Sequence, residues 1–241
     1  MLASKAGPSE GRTEGSGFVM PVKVAIVDYG SGNLFSIQHA CRIVGLNGVL
    51  TVDGREFDDA QAIILPGVGA FAAAMERLKQ AGLSERIHDW AVSGKPLIGI
   101  CLGLQLLMAE SLEHGRHKGL GLIEGCVLGF REKFPDRSIR VPNIGWRPVY
   151  LESEHSEHLS ALAGSPLDGL NVGEEFYFVH SYYVEVTEQG VTRHWSDFED
   201  FRFCCAVAKD NIFGFQFHPE RSARQGLEVI ASIRRLLEVV I

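Results

Sequence analysis

Residues 22–110 alternate between two kinds of segment, and no other feature restricts the possible folds as much. The run at 22–27 is β-branched and mostly apolar, which predicts a buried strand. Gly30-Ser31-Gly32 then reads as a turn. Asn33 can cap a helix in which Leu34, Ile37, Cys41 and Val44 recur at helical spacing. Residues 48–52 are a second strand, and 62–65 are a third, stopped by Pro66-Gly67. Helical patterns over 70–80 and 83–92 lead to a fourth strand at 97–100, which runs through Cys101 into a helical segment over 102–110. Alternation of this kind predicts a parallel sheet covered by helices on both faces.

After Gly115 the pattern changes. Short strands at 125–130, 147–151, 176–179, 182–186, 204–208 and 212–217 are separated by turns, as in antiparallel additions to a sheet. Ile230, Ile233 and Leu237 mark a closing helix over 227–239. The expected fold is therefore α/β, a three-layer sandwich with a mostly parallel central sheet plus antiparallel additions. There is no internal repeat and no linker. One domain is expected over 21–241, preceded by a flexible N-terminal extension over 1–20 that is rich in Gly, Ser and charged residues. That extension lacks the apolar stretch of a signal peptide, and Met20 can serve as a natural start.

Composition excludes several classes. With 46% hydrophobic and 22% charged residues, wholesale disorder is ruled out. Thirty acids against 23 bases give a net charge of −7, which argues against a nucleic-acid binder. No apolar run approaches the roughly 20 residues needed to span a bilayer. The five cysteines, Cys41, Cys101, Cys126, Cys204 and Cys205, include no CxxC pair, so a zinc ribbon or redox dithiol is not indicated and a reduced, cytoplasmic setting is expected. Cys204 and Cys205 point to opposite faces of a strand, which precludes a disulfide between them.

Gly99-Ile-Cys101-Leu-Gly103 lies at the strand-to-helix junction and is the thiol counterpart of the G-x-S-x-G nucleophile elbow. A sharp turn would put Cys101 at its tip. Flanking glycines allow strand and helix to cross closely, the helix N-terminus favours a thiolate, and the Leu102 amide can face an oxyanion. A small buried core cysteine is an equally good reading of these five residues alone. Near the other end, Gly214-Phe-Gln-Phe-His218-Pro-Glu220 places His and Glu two apart at a strand end, so that both can reach one edge. Glu220 would hold one imidazole nitrogen while the other faces the thiol. Taken alone, the pair is equally well a surface His beside an acid; with Cys101 it becomes specific. Pro66-Gly67-Val68-Gly69 can turn an amide toward a substrate oxygen, or simply end a strand.

These elements, together with Asp28-Tyr-Gly-Ser-Gly-Asn33-Leu, Pro142-Asn-Ile-Gly-Trp146 and Phe176-Tyr-Phe-Val-His-Ser-Tyr182, make the chain similar from about Val22 to its C-terminus to the class I (triad) glutamine amidotransferases. Within them it most resembles the glutaminase subunits of imidazole glycerol phosphate synthases. The resemblance implies a Cys101–His218–Glu220 triad acting on L-glutamine, with an oxyanion hole from Leu102 and the Gly67–Val68–Gly69 loop. It implies substrate contacts from Gln105, Glu113, Tyr177, His180 and Ser181, with Glu113 suited to the α-ammonium group. No cofactor is implied. The implied partner is a cyclase subunit, a (β/α)8 barrel forming a heterodimer with this chain through Asn33, Trp146 and Arg221, and using the ammonia to make imidazole glycerol phosphate and an aminoimidazole carboxamide ribotide. Relatives usually carry His at 143, Asn at 147 and Lys at 221, where this chain has Asn143, Arg147 and Arg221. Those departures bear on docking rather than on the chemistry. A subunit nearly idle until docked is implied as well.

Other readings compete. Gly30-Ser-Gly32-Asn-Leu-Phe35 with Asp53 is similar to a dinucleotide fingerprint, but Phe35 stands where a small residue is needed for close helix–strand packing. A silent glutamine-binding module would not need the full triad. A triad glutaminase serving anthranilate or pyridoxal phosphate synthesis is a nearer alternative. His155 and His158 among Glu152, Glu154 and Glu157 are expected to form a solvated polar face rather than a metal site. Phe71 and Met75 are expected in the core.

Overall fold

The computed structural model describes residues 22–135, 138–151, 166 and 173–239. In chain order the first half runs β1 (Lys23–Val27), α1 (Leu34–Ile43), β2 (Asn47–Thr51), β3 (Ala62–Gly67), α2 (Phe71–Gln80), α3 (Leu83–Val92), β4 (Leu97–Cys101) and α4 (Leu102–Leu107). Then follow β5 (Met108–Ser111), β6 (His117–Lys118), β7 (Ile123–Gly129), α5 (Phe130–Lys133), β8 (Asn143–Pro148), β9 (Tyr150–Leu151), β10 (Glu175–His180), β11 (Tyr182–Val186), β12 (Thr192–Phe198), β13 (Phe201–Lys209), β14 (Ile212–Phe215) and α6 (Ala223–Val239).

Period-two alternation sorts the β1 side chains into two cores. Val24 and Ile26 face the layer that holds Ile37 and Cys41 of α1 and Ile230 and Ile233 of α6. Ala25 and Val27 face Phe71 of α2, Ile87 of α3 and Leu104 of α4. Both faces are dry, which is why these strands read as continuous apolar runs; each fully buried Val, Ile or Leu contributes about 1.5–3 kcal/mol. The main sheet has the order β2-β1-β3-β4-β14-β13-β11-β7-β5-β6, with β12 and β9 branching from β13. From β2 to β14 every pairing is parallel. From β14 onward it is antiparallel except for β5 with β7. The three-layer α/β expectation matches this arrangement. Cys204 and Cys205 fall into opposite cores, and Phe71 and Met75 belong to the core facing α2 and α3. Among the described residues no helix is long and apolar enough to cross a membrane, and no group of three or more His, Cys, Asp or Glu could hold a metal ion. His155 and His158 lie outside the described residues.

Several local expectations are corrected. The helix over 102–110 ends at Leu107 because the amides of Leu120 and Leu122 take the Leu106 and Leu107 carbonyls at 2.9 Å, and Met108 turns extended. β3 continues through Pro66 and Gly67, which register with Ile100 and Cys101. β8 and β10 form a separate antiparallel ribbon instead of joining the main sheet. β12 escaped notice because its inward positions include His194 and Ser196, so the buried face does not look apolar. Asn33 is the N-cap residue of α1 but makes no side-chain cap bond. Phe35 does not obstruct helix packing. It points outward, 76% exposed, and stacks on His39.

Candidate active site

The candidate catalytic groups stand at the carboxyl ends of the parallel strands, where open α/β sheets gather ligands. β4 delivers Cys101 directly into α4 with φ 55° and ψ −110°, a conformation that costs a non-glycine residue about 1–3 kcal/mol. This is the nucleophile-elbow geometry. It requires Gly103, where an added Cβ would lie 1.7 Å from the Leu65 carbonyl oxygen. Cys101 is 5% exposed, so it is a buried cysteine as well as a strained one.

His218 follows β14 in extended conformation, and Glu220 sits in a 3-10 turn over Pro219–Arg221. The strand therefore does not carry both residues, as the spacing suggested. The turn does the work, bringing Glu220 Oε1 to 2.8 Å from His218 Nδ1 with both side chains buried. The Nδ1–H donates to that carboxylate, which leaves Nε2 for the sulfur. Burial alone would lower the pKa of His218. A negative charge on the nearby Cys101 and the Glu220 carboxylate overcome it and raise the pKa to about 10. Opposite an anionic sulfur the imidazole is therefore held as an imidazolium.

Gly67 registers with Cys101 across β3 and β4. Tyr29 Oη donates to the Pro66 carbonyl at 2.8 Å, and Ser31 Oγ donates to the Val68 carbonyl. Gly69 has φ +102°, which favours glycine. The Gly67–Val68–Gly69 loop is thus held at both ends beside the sulfur, and burial and the Cys101 charge both push the Tyr29 hydroxyl pKa well above its usual range.

A cavity of about 280 Å³ opens next to Cys101. Val68, Gly69, Leu102, Gln105 and Glu113 line one side, and His180 and Ser181 line the other. Gln105 is buried, not on a helix surface, and its Nε2 donates to the Tyr182 carbonyl at 3.1 Å and to Gln216 Oε1 at 3.0 Å. Glu113 is buried too. Its Oε2 accepts the Phe71 amide at 2.6 Å, capping α2 from 42 residues away. Burial holds the pKa of His180 down to about 3, so its ring is neutral. Its Nδ1–H donates to the Tyr182 carbonyl at 2.8 Å, and its Nε2 accepts from Asn143 Nδ2 at 3.0 Å. Arg147 Nε in turn donates to Asn143 Oδ1 at 3.1 Å. Asn143 and Arg147 are therefore two links of one chain that orients His180.

Tyr177 is not among the cavity-lining residues. It packs at 6.2 Å against Trp146, with the Arg221 guanidinium 4.6 Å over its ring, so it groups with the residues expected at the partner surface. Exposed Asn33 heads α1, which packs against the Pro219–Arg221 turn. The His218 amide donates to the Tyr177 carbonyl, and Ser222 Oγ accepts the Tyr177 amide while donating to the His218 carbonyl, which ties the ribbon to the base. The sequence reading passed over Gln216, Tyr29 and Ser222. A lone amide in the apolar run Phe215-Gln-Phe217 was a usable signal; the other two had none.

A profile of the glutamine amidotransferase class-I family matches residues 25–233, and the chain belongs to that family. It is 40% identical over 215 residues to the imidazole glycerol phosphate synthase subunit HisH of Sulfurimonas denitrificans, covering 88% of this chain and 97% of that one. It is 42% identical over 214 residues to the HisH subunit of Moorella thermoacetica, covering 89% and 95%. Among solved structures, a glutamine amidotransferase superposes with TM-score 0.66 at 18% identity over 90% of this chain and 97% of that one. PurLQS from Thermotoga maritima superposes with TM-score 0.65 at 19% identity over 92% and 100%. These two likenesses establish the fold.

Proposed function

We propose that the chain is the glutaminase subunit of an imidazole glycerol phosphate synthase, acting in histidine biosynthesis. In this reading Cys101 attacks the side-chain amide carbon of L-glutamine. The Leu102 amide and an amide of the Gly67–Val68–Gly69 loop meet the oxyanion. The imidazolium of His218 gives its proton to the departing nitrogen, so ammonia and a Cys101 thioester form. His218, held by Glu220, then takes a proton from water, which attacks the thioester and releases glutamate. Gln105, Glu113, His180 and Ser181 hold the substrate around that carbon, with the Glu113 carboxylate facing its ammonium. The observation that carries this reading is the buried chain of Cys101, His218 and Glu220 beside the glycine loop.

Ammonia released into water at neutral pH becomes ammonium, a poor nucleophile. That chemistry calls for a shielded transfer to a docked partner, and the family resemblance implies that this partner is a cyclase, a (β/α)8 barrel. The exposed Trp146, with Tyr177, Arg221 and Asn33, is the proposed contact surface, lying on the same edge as the triad. The relatives' names favour this synthase over anthranilate or pyridoxal phosphate synthesis. A cytoplasmic setting accords with five cysteines among which no disulfide forms. The test is ammonia release from glutamine, with and without the cyclase and its nucleotide ligand, for the native chain and Cys101→Ser. Turnover is expected only from the docked native chain. Equal turnover by Cys101→Ser would remove the reading.

A further inference from the structure

One buried side chain has no part in the mechanism above. Gln216 lies between β14 and His218, 0% exposed and flanked by Phe215 and Phe217. Burying an amide is costly unless its polar ends are satisfied. Both ends of this one are engaged: Oε1 meets Gln105 Nε2 at 3.0 Å, and Nε2 meets the Cys101 sulfur at 3.7 Å.

Which end of the amide faces the sulfur decides its effect, and an amide can be turned end for end. A backbone group fixes the answer. The Tyr182 carbonyl, 3.1 Å from Gln105, can only accept, so Gln105 presents its NH2 group there. The second hydrogen of that NH2 is directed at Gln216. Gln216 must then offer oxygen to Gln105 and N–H to the sulfur.

We propose that Gln216 positions the nucleophile, its side-chain N–H donating to the Cys101 sulfur, and that Gln105, anchored on the Tyr182 carbonyl, sets the direction of that donor. The proposal rests on the reading of Cys101 as the glutaminase nucleophile. A thiolate accepts an N–H far better than a thiol does, so the donor selects the anionic form. The Val179 carbonyl, 4.0 Å from the same sulfur, would suit a thiol; the nearer amide and the His218 imidazolium suit the thiolate. Cysteine has one side-chain torsion. With the backbone at 101 held by the elbow, the amide donor fixes that torsion. No bond is made or broken at Gln216. Once the sulfur is acylated it is a poor acceptor and the contact weakens, so the donor acts before acylation.

The test is the pH dependence of Cys101 alkylation by iodoacetamide in the full chain, alongside glutamine turnover on the cyclase. Gln216→Met fills nearly the same space without a donor, and Gln216→Glu keeps the shape but presents an acceptor. Alkylation at neutral pH is expected to fall about tenfold in Gln216→Met and further in Gln216→Glu. The profile moves to higher pH in the same order, and kcat follows while KM stays within about twofold. Tyr29, Glu113, His180, His218 and Glu220, the titratable groups around the sulfur, are common to all three proteins. A space-filling role gives the reverse order, since Glu matches Gln more closely than Met does. Alkylation profiles that superimpose on the native one overturn the proposal. If Gln216→Met does not fold, native against Gln216→Glu decides alone. Native Cys101 that is alkylated with no loss of glutamine turnover would instead remove the nucleophile assignment itself.

Discussion

The two sides of the cavity are built by different means. On one side, Gly67, Cys101 and His218 stand at or just beyond the ends of β3, β4 and β14, three adjacent parallel strands whose register is set by backbone pairing. On the other, His180 and Ser181 come from the end of the β8–β10 ribbon, outside the main sheet; backbone pairing sets the ribbon's own register, and two side chains, Asn143 and Arg147, orient the His180 ring. Backbone pairing places atoms rigidly and tolerates no added volume. A side-chain chain places them adjustably, and each link can be removed by substitution. In the proposed reading the chemistry belongs to the strand edge, and the ribbon adds His180 and Ser181 to the substrate cavity and Trp146 and Tyr177 to the partner surface.

The largest expected effect isolates the edge chemistry: Cys101→Ser should lower glutamine turnover on the cyclase by at least about a thousandfold with little change in melting temperature. Next, the elbow itself can be broken. Gly103→Ala drives a methyl into the Leu65 carbonyl and is expected to destabilise the protein by about 3 kcal/mol, read as a lower denaturant midpoint. The ribbon should respond more mildly. Asn143→Ala leaves His180 Nε2 and Arg147 Nε without their partner, at about 1–3 kcal/mol, and is expected to raise KM more than it lowers kcat. If that variant lowered kcat alone, the division between edge and ribbon would fail.

The smallest effect concerns a histidine with no role in either side. His194 is fully buried with neither ring nitrogen bonded, and burial lowers its pKa to about 4. His180 is lowered to about 3, also chiefly by burial, from a usual 6.5. Below about 6.5 the unfolded chain takes up protons that these folded rings refuse, so stability should fall as pH drops toward 4, with a slope of up to about 1.4 kcal/mol per pH unit for each ring. His218 has the opposite sign. Its contribution is complete below 6.5 and is lost as pH rises through about 10. His194→Leu is expected to flatten the acid limb and to add about 1 kcal/mol at neutral pH, measured by denaturation at several pH values.

The strand edge was readable in the sequence because its signals are local: an apolar run, a glycine where elements cross, and a reactive residue at the tip. Cys101, His218 and Glu220 came together on those grounds, although the turn at Pro219–Arg221, not strand alternation, joins the last two. The ribbon was less readable. The 3.6 and 2.0 periods say which way a side chain faces, not which sheet a strand joins, so β10 was read as an extension of the main sheet. The resemblance grouped Tyr177 with the substrate residues; its neighbour Trp146 is 31 residues distant in sequence, and only strand pairing brings the two rings together. β12 was missed where inward positions are His194 and Ser196, because a buried polar residue writes the same pattern as an exposed one.

Glu113 has one carboxylate oxygen on the first amide of α2, and α2 begins two residues after Gly69. The side chain that would greet an arriving amino acid thus also anchors the rod to which the oxyanion loop is tethered. Only Ala70 separates that bonded amide from Gly69, so the loop and the first turn of α2 share one point of attachment. Replacing Glu113 would therefore alter two things at once, the wall of the cavity and the fastening of the first turn of α2.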